Sequence, residues 1–163
     1  MTSLRLETFV DETEAWATLR QRAPKLRKLR AELKYHPFAG IVFDMPTLLG
    51  AVQRVHTLVD YYTGKAFLTG EWKGHAETVP EHQRVTDPQW ATVSLDQARH
   101  RASQTVATAN LRRTRLAGRG GLRERHVVPT VWKPNWMFHT ELEGRNVEIM
   151  VDGLNGSYFV IGS

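Results

Sequence analysis

Apolar and polar residues alternate along the segment Asn146–Gly162. Val147, Ile149 and Val151 alternate with Glu148 and Met150. Alternate side chains of a strand point to opposite faces, so this period of two predicts a strand with one buried face. A Val-Asp pair, a short segment closing on glycine and an apolar run follow, which predicts a turn and a second strand.

The same pattern occurs earlier in the chain, at Arg54–Gly70. At a constant offset of 92 the two segments share six residues, which are Val55/Val147, Val59/Val151, Asp60/Asp152, Gly64/Gly156, Phe67/Phe159 and Gly70/Gly162. An aspartate at the start of a turn accepts hydrogen bonds from amides two or three residues on. A glycine adopts the positive φ that closes such a loop. The matches therefore predict two equivalent hairpins.

A further strand is predicted before each hairpin, at Leu33–Met45 and at Thr130–Leu142. These segments align at an offset of 97, which matches Tyr35 to Trp132 and Pro37 to Pro134. Trp132, Trp136 and Phe138 share one parity, so they are expected to point to one face. Packing in the core is the expected role, and a partner-binding groove is the alternative.

A helix is predicted before each set of strands. Asp11 with Glu14, and Ser94 with Gln97, have the spacing of an N-terminal capping box. The first apolar stripe consists of Trp16, Leu19, Ala23, Leu26, Leu29 and Leu33. Pro24 interrupts this stripe and predicts a kink or two shorter helices. The second stripe is narrow and consists of Leu95, Ala98, Ala102, Val106 and Ala109, which suits close packing on a sheet.

The predicted fold class is α+β, with duplicated αβββ units whose helices pack on an antiparallel sheet. The expected organisation is a first unit at 1–73, a polar connector at 74–93 and a second unit at 94–163. One unit is too small for a sizeable core, so we expect the two to share one. Whether they form one sheet or two stays open. The strand Ser157–Ile161 is apolar on both faces, so we expect it to be central or paired in a dimer.

The stretch WKPNWMFHTELEGRNVEIMVDGLNGSYFVIG resembles the small αβββ modules of PepSY-type and related cystatin-like proteins. Its aromatic-x-Pro-x-aromatic strand and its V-D-G-x-x-G turn carry the resemblance, and Tyr35–Gly70 is similar. The resemblance implies an interaction or inhibitory module without an active site of its own. Many such modules are extracytoplasmic or tethered to a membrane.

Composition narrows the protein class. Of 163 residues, 41% are hydrophobic and 24% are charged, which is ordinary for a globular protein. The absence of cysteine excludes disulfides and thiolate metal sites and favours a reducing compartment. No secretion signal and no apolar run of about 18 residues is present. A cytoplasmic location without membrane insertion is therefore expected.

Candidate catalytic chemistry is sparse. The seven histidines show no metal-binding spacing. His56 and His139 lie in predicted strands, where a structural or surface role is expected. Turn formation accounts for Asp60 and Asp152, and Gly118–Gly121 is best interpreted as a helix stop. We predict no catalytic residue, no metal ligand and no cofactor.

The net charge of +5 permits binding to acidic partners, nucleic acid included, although many basic proteins bind neither nucleic acid nor membrane. The candidate contacts to an anionic partner are Arg112, Arg113, Arg115, Arg119, Arg123 and Arg125. If the two helices lie side by side, the basic residues between Arg20 and Lys34 would extend this face along a phosphate backbone. Tyr61 and Tyr62, at a predicted hairpin tip, are the candidate aromatic contacts to a protein.

The leading hypothesis is a non-enzymatic binding module that presents a duplicated antiparallel sheet to a protein partner. The first alternative is a nucleic-acid-associated accessory protein that uses the arginine-rich helical face. The second alternative is a small cone-shaped α+β ligand-binding protein or enzyme, which would need polar side chains converging in a pocket. A homodimer stays open.

Overall fold

The computed structural model describes residues 3–47, 49–85, 92–113 and 121–162, with the side chains of 111–113 left out. Within these ranges the fold is α+β, with two helices and one mostly antiparallel sheet of eight strands. The elements are β1 (Leu4–Leu6), α1 (Glu12–Arg22), β2 (Arg27–Pro46), β3 (Val52–Asp60), β4 (Ala66–Thr69), β5 (Gly74–His75), a short 3₁₀ turn (Glu81–Gln83), α2 (Leu95–Arg113), β6 (Arg123–Leu142), β7 (Arg145–Asp152) and β8 (Tyr158–Gly162).

Two strands of 20 residues, β2 and β6, form the centre of the sheet. They pair antiparallel from Arg27 opposite Glu141 to Asp44 opposite Arg123. β3 and β4 extend the sheet beyond the second half of β2, and β7 and β8 extend it beyond the second half of β6. β1 pairs parallel to β6, and β5 lies beyond β1. The strands therefore form one sheet, which the sequence pattern left undecided.

The start of β2 differs from the prediction. The stripe through Leu26, Leu29 and Leu33 was expected to continue the first helix beyond Pro24, but α1 ends at Arg22 and β2 begins at Arg27. Leu29, Ala31, Leu33 and Tyr35 also alternate with charged residues, and this period of two prevails. Proline disfavours a helical conformation in the residue before it, which accounts for the end of α1. The segment beyond Pro24 pairs with β6 instead, so the expected kinked helix was wrong.

The two predicted turns are confirmed. Asp60 and Asp152 accept hydrogen bonds from the amides of Tyr62 and Leu154, at 2.8 and 2.7 Å. Gly64 and Gly156 close the turns with φ of +70° and +78°. In both turns the amide of the closing glycine also donates to the carbonyl of the aspartate.

Both predicted helix starts are also confirmed. Asp11 Oδ1 accepts a hydrogen bond from the Glu14 amide at 2.8 Å. Ser94 and Gln97 exchange the reciprocal pair of bonds that defines a capping box. Because these contacts span three residues, the local sequence is sufficient to specify them.

The helices pack at opposite ends of one sheet face. α2 buries Ala98, Ala102 and Val106 against Ala39, Ile41, Phe43 and Val59. α1 buries Ala15 and Leu19 against Phe138, Ile149 and Val151. Ala31 borders the α1 cluster and Ala39 belongs to the α2 cluster, and these two positions of β2 are about 26 Å apart along the strand. The expectation that the helices lie side by side was therefore wrong.

The opposite face has its own core around Leu6, Phe38, Leu58 and Val131. Trp72 packs against this core above Gly40. A Cβ at Gly40 would lie 2.6 Å from Trp72 Cη2 and 2.7 Å from Val131 Cγ2. Glycine at position 40 thus allows the indole to approach the sheet.

Candidate functional site

A buried polar cluster lies at the centre of the sheet, on the face opposite the helices. Lys133 and His36 are direct cross-strand partners of β6 and β2. Lys133 Nζ lies 2.7 Å from Asp152 Oδ2 and donates to Asn135 Oδ1 at 2.8 Å. The Asn135 amide in turn contacts His36 Nδ1 at 2.7 Å.

The chemistry of Lys133 determines which atoms donate and which accept in this series of hydrogen bonds. The Lys133 ammonium only donates, so it identifies the facing atom of Asn135 as the oxygen. The other amide atom is then the nitrogen, which donates to Nδ1 of His36. His36 is therefore neutral, with its proton on Nε2.

Burial shifts the pKa values of both basic groups. Burial and the Lys133 charge lower the pKa of His36 from 6.5 to about 4, against the opposing effect of Asp60. Burial also lowers the pKa of Lys133, whereas Asp152 and Asp60 raise it. Asp152 therefore has two roles, since one oxygen holds its own turn and the other neutralises Lys133.

A cleft of about 310 Å³ lies above the Lys133–Asp152 pair. Leu6, Phe67 and Leu154 make its wall largely apolar. Lys133 Nζ and both carboxylate oxygens of Asp152 already have partners within the chain. The simplest explanation of this buried pair is therefore a structural role. In the described part of the chain, no group of three histidine, aspartate or glutamate side chains is placed to hold a metal ion.

The predicted arginine contacts are only partly described. Arg123 is exposed on β6, and Arg125 lies 3.1 Å from Asp44. The structure describes the backbone of Arg112 and Arg113, in α2, but not their side chains. Four further predicted positions lie outside the described residues, namely Arg115, Gly118, Arg119 and Gly120. Within α2, Arg99 binds Glu124 at 2.8 Å and Arg101 donates to the Gly64 carbonyl.

The basic residues between Arg20 and Lys34 lie mainly on β2 rather than on a helix. Most of them pair with a nearby carboxylate, in the pairs Lys25–Glu143, Arg27–Glu141, Lys28–Glu12, Arg30–Glu32 and Lys34–Glu32. Because acidic residues from α1, from β2 itself and from the end of β6 and the residue after it lie among the basic ones, this region is not a continuous basic face.

Tyr61 and Tyr62 both make contacts within the chain. The Tyr61 ring packs against the α2 cluster and its hydroxyl donates to the Pro129 carbonyl. The Tyr62 hydroxyl donates to the Val85 carbonyl at 2.7 Å. Both side chains are half-buried. A contact with a protein partner stays a prediction for these tyrosines.

Among the described strands, β8 lies at an edge of the sheet and pairs only with β7. Tyr158, Phe159, Val160 and Ile161 are 41%, 54%, 63% and 48% exposed. The expectation of a central position for this strand was wrong, because no described strand lies beyond β8, and pairing in a dimer stays a prediction. The apolar composition of both faces indicated that this surface needs a cover, but it did not show that the described part of the chain provides none.

The apolar surface continues from β8 across the open face of the sheet. Met150 pairs with Phe159 on one side and with Met137 on the other. Both methionines are half-buried. Methionine adapts its shape readily and recurs at protein-binding surfaces.

Comparison of this chain with protein families, curated proteins and solved structures finds no match. Neither described helix is long and apolar enough to cross a membrane.

Proposed function

We propose that this protein is a non-enzymatic binding module whose sheet pairs, through β8, with an extended strand of a protein partner. The observation that carries this proposal is the exposure of four consecutive apolar side chains, Tyr158–Ile161, on an edge strand. An edge strand presents unpaired backbone groups that a further strand can satisfy. No charged residue or proline interrupts this run.

The side chains of β8 specify how a partner strand would lie. Val160 pairs with Ile149 and Tyr158 with Val151, so both point to the face that α1 covers. Phe159 points to the opposite, open face beside Met150. A strand added to this edge would need apolar residues on both faces to cover them.

A comparison of the two ends of the sheet supports an external cover. α2 has 19 residues, and Ala66 of β4 packs against its cluster. α1 has 11 residues, and its cluster includes no residue of β8. A helix of the same chain thus covers one face of β4, whereas neither described helix covers β8, which is the surface that a partner would occupy.

The duplication of an αβββ unit is part of the same proposal. The offset of 97 that matches Tyr35 to Trp132 also matches His36 to Lys133, and these last two are cross-strand partners. Tyr35 pairs with Pro134 and Pro37 pairs with Trp132 on either side of them. A two-fold axis at the His36–Lys133 pair would exchange these flanking pairs, which favours a common origin. The PepSY-type or cystatin-like relationship and the cytoplasmic location remain part of this proposal.

A photo-cross-linking amino acid at position 159 tests the partner surface in the native cell. We expect a defined cross-linked protein from position 159 and none from Gln104, an exposed residue of α2. The partner is then purified and its affinity is measured for Val160→Lys and for Thr108→Lys, an exposed control on α2 that adds the same charge. A loss of at least tenfold confined to Val160→Lys supports the proposal.

Two results would contradict it. The first is equal affinity of the two lysine variants for the cross-linked protein. The second is cross-linking from position 104 but not from 159. The alternative of a nucleic-acid-associated protein stays a prediction. The pairing of the basic residues on β2 with carboxylates does not favour it.

A further inference from the structure

Two adjacent rows of polar side chains lie on the open face of the sheet, at the end where β2 reaches Pro46. Val42 pairs with His56 on β3 and with His126 on β6, which forms the first row. In the second row, Asp44 lies between two arginines, 4.0 Å from Arg54 and 3.1 Å from Arg125. Directly opposed residues share a face, which places His56, His126, Asp44 and Arg54 on one surface. Arg125 lies at a register shift of β6 and reaches the same surface through its contact with Asp44.

A groove of about 410 Å³ lies between this surface and Trp72. Leu4, Val42 and Val128 give it an apolar floor. Trp72 forms its wall and meets the His56 ring edge to face, with 5.0 Å between the ring centroids. The groove therefore offers an apolar interior of the size that small-molecule sites have.

Four basic side chains also line the groove, and they are Arg54, Arg125, His56 and His126. Among the described residues that line it, none is acidic. Asp44 neutralises only one of the two guanidinium charges, and both arginine side chains are about half exposed, at 54% and 51%. At Arg99 on α2 the balance is reversed, because two carboxylates, those of Asp96 and Glu124, surround one guanidinium.

This arrangement favours an anion with a specific shape. A guanidinium presents a planar fork of donors that matches phosphate oxygens. Asp44 and a second acid, Glu71, line a neighbouring depression that shares both arginines and His56 with the groove. Burial and Arg54 lower the pKa of His56, whereas Glu71 raises it. The charged side chains that line the groove itself are therefore Arg54 and Arg125, and the apolar surface lies on the tryptophan side.

We propose that this groove binds a small phosphate ester with a planar apolar body, the chemical class of nucleoside monophosphates. The phosphate contacts guanidinium nitrogens of Arg54 and Arg125 other than the two that face Asp44, and the ring lies along Trp72 and Val128. This binding site is separate from β8 and goes beyond the protein-binding function.

Calorimetric titration of the whole protein at low ionic strength tests this site. The probes are adenosine monophosphate, adenosine and inorganic phosphate. We expect adenosine monophosphate to bind at least tenfold more tightly than either adenosine or phosphate, because only the ester engages both parts of the groove. No detectable binding of adenosine monophosphate at millimolar concentration would overturn the proposal, and so would equal binding of inorganic phosphate.

Three matched variants locate the binding. Arg54→Gln and Arg125→Gln each remove one charge from the groove and are expected to weaken the binding at least tenfold, the usual effect of a lost charged hydrogen bond. Arg145→Gln removes the same charge at the exposed start of β7 and is expected to change the affinity less than twofold. Equal weakening by all three variants would show a general charge effect and overturn the site.

Discussion

Asn135 donates a hydrogen bond of 2.7 Å to His36 Nδ1, and this bond requires a neutral imidazole. The two residues lie on neighbouring strands and are 99 positions apart in the sequence. The bond links the protonation of one buried histidine to the pairing of the two central strands. The stability of the fold should therefore depend on pH through this residue.

Acidification is expected to destabilise the protein through His36. The unfolded side chain takes up a proton near pH 6.5, whereas the folded one does so only at about 4. Between these values the unfolded state binds more protons, so the free energy of unfolding falls as the pH falls from 6.5 to 4. The contribution reaches about 3 kcal/mol, since one pKa unit corresponds to about 1.36 kcal/mol. Urea unfolding at several pH values measures this slope.

The variant His36→Gln is the control for the pH dependence. It retains a hydrogen-bond acceptor and cannot titrate, so its loss of stability between pH 6.5 and 4 should be smaller than that of the wild type. Identical slopes for the two proteins would show that His36 is not the responsible group.

Asp152→Ala is expected to cost more stability than Asp60→Ala. Each substitution removes the hydrogen bonds of one turn, but only Asp152 lies 2.7 Å from the buried Lys133. A buried ammonium without its partner costs several kcal/mol, so we expect a difference of about 2 to 3 kcal/mol between the variants. Chemical denaturation measures it, and equal losses would contradict the dual role of Asp152.

Gly40→Ala is expected to destabilise the protein by about 1 to 3 kcal/mol, because the added methyl group overlaps Trp72 and Val131. Gly70→Ala is the matched control, since nothing lies within 4 Å of a Cβ at that position. Near-ultraviolet circular dichroism reports the displaced tryptophan. A Gly40→Ala variant as stable as Gly70→Ala would show that the indole does not lie against this strand.

Val151→Ala and Val160→Ala compare the inside and the edge of the same sheet. Val151 is fully buried and its truncation should cost about 2 kcal/mol, from the lost transfer energy of the removed groups and the cavity. Val160 is 63% exposed, so its truncation should change the stability by less than about 0.5 kcal/mol. Thermal unfolding of both variants at low protein concentration checks this contrast, and a large loss for Val160→Ala would mean that β8 is covered in the isolated protein.

The sequence predicted the features that depend on near neighbours. The turns at Asp60 and Asp152 and the cap at Ser94 need only contacts within a few residues. The segment Leu26–Leu33 fits both a helical and a strand period, and only its pairing with β6 decides between them. The His36–Asn135 bond and the Asp44–Arg125 pair depend on strand register, which no local pattern specifies. Because strand register could not be predicted, the sequence analysis included Arg125 among the candidate contacts to an anionic partner but not Arg54, which approaches the same Asp44 side chain.

The packing of α1 has a consequence for synthesis of the chain on the ribosome. Ala15 and Leu19 contact residues of β6 and β7, and the Val10 carbonyl accepts a hydrogen bond from Trp136, 126 residues later. At cellular rates of about 5 to 20 residues per second, the first helix waits on the order of ten seconds for the strands that bury it. During that interval its apolar side is open to chaperones, and a nascent chain stopped before β6 should be degraded readily.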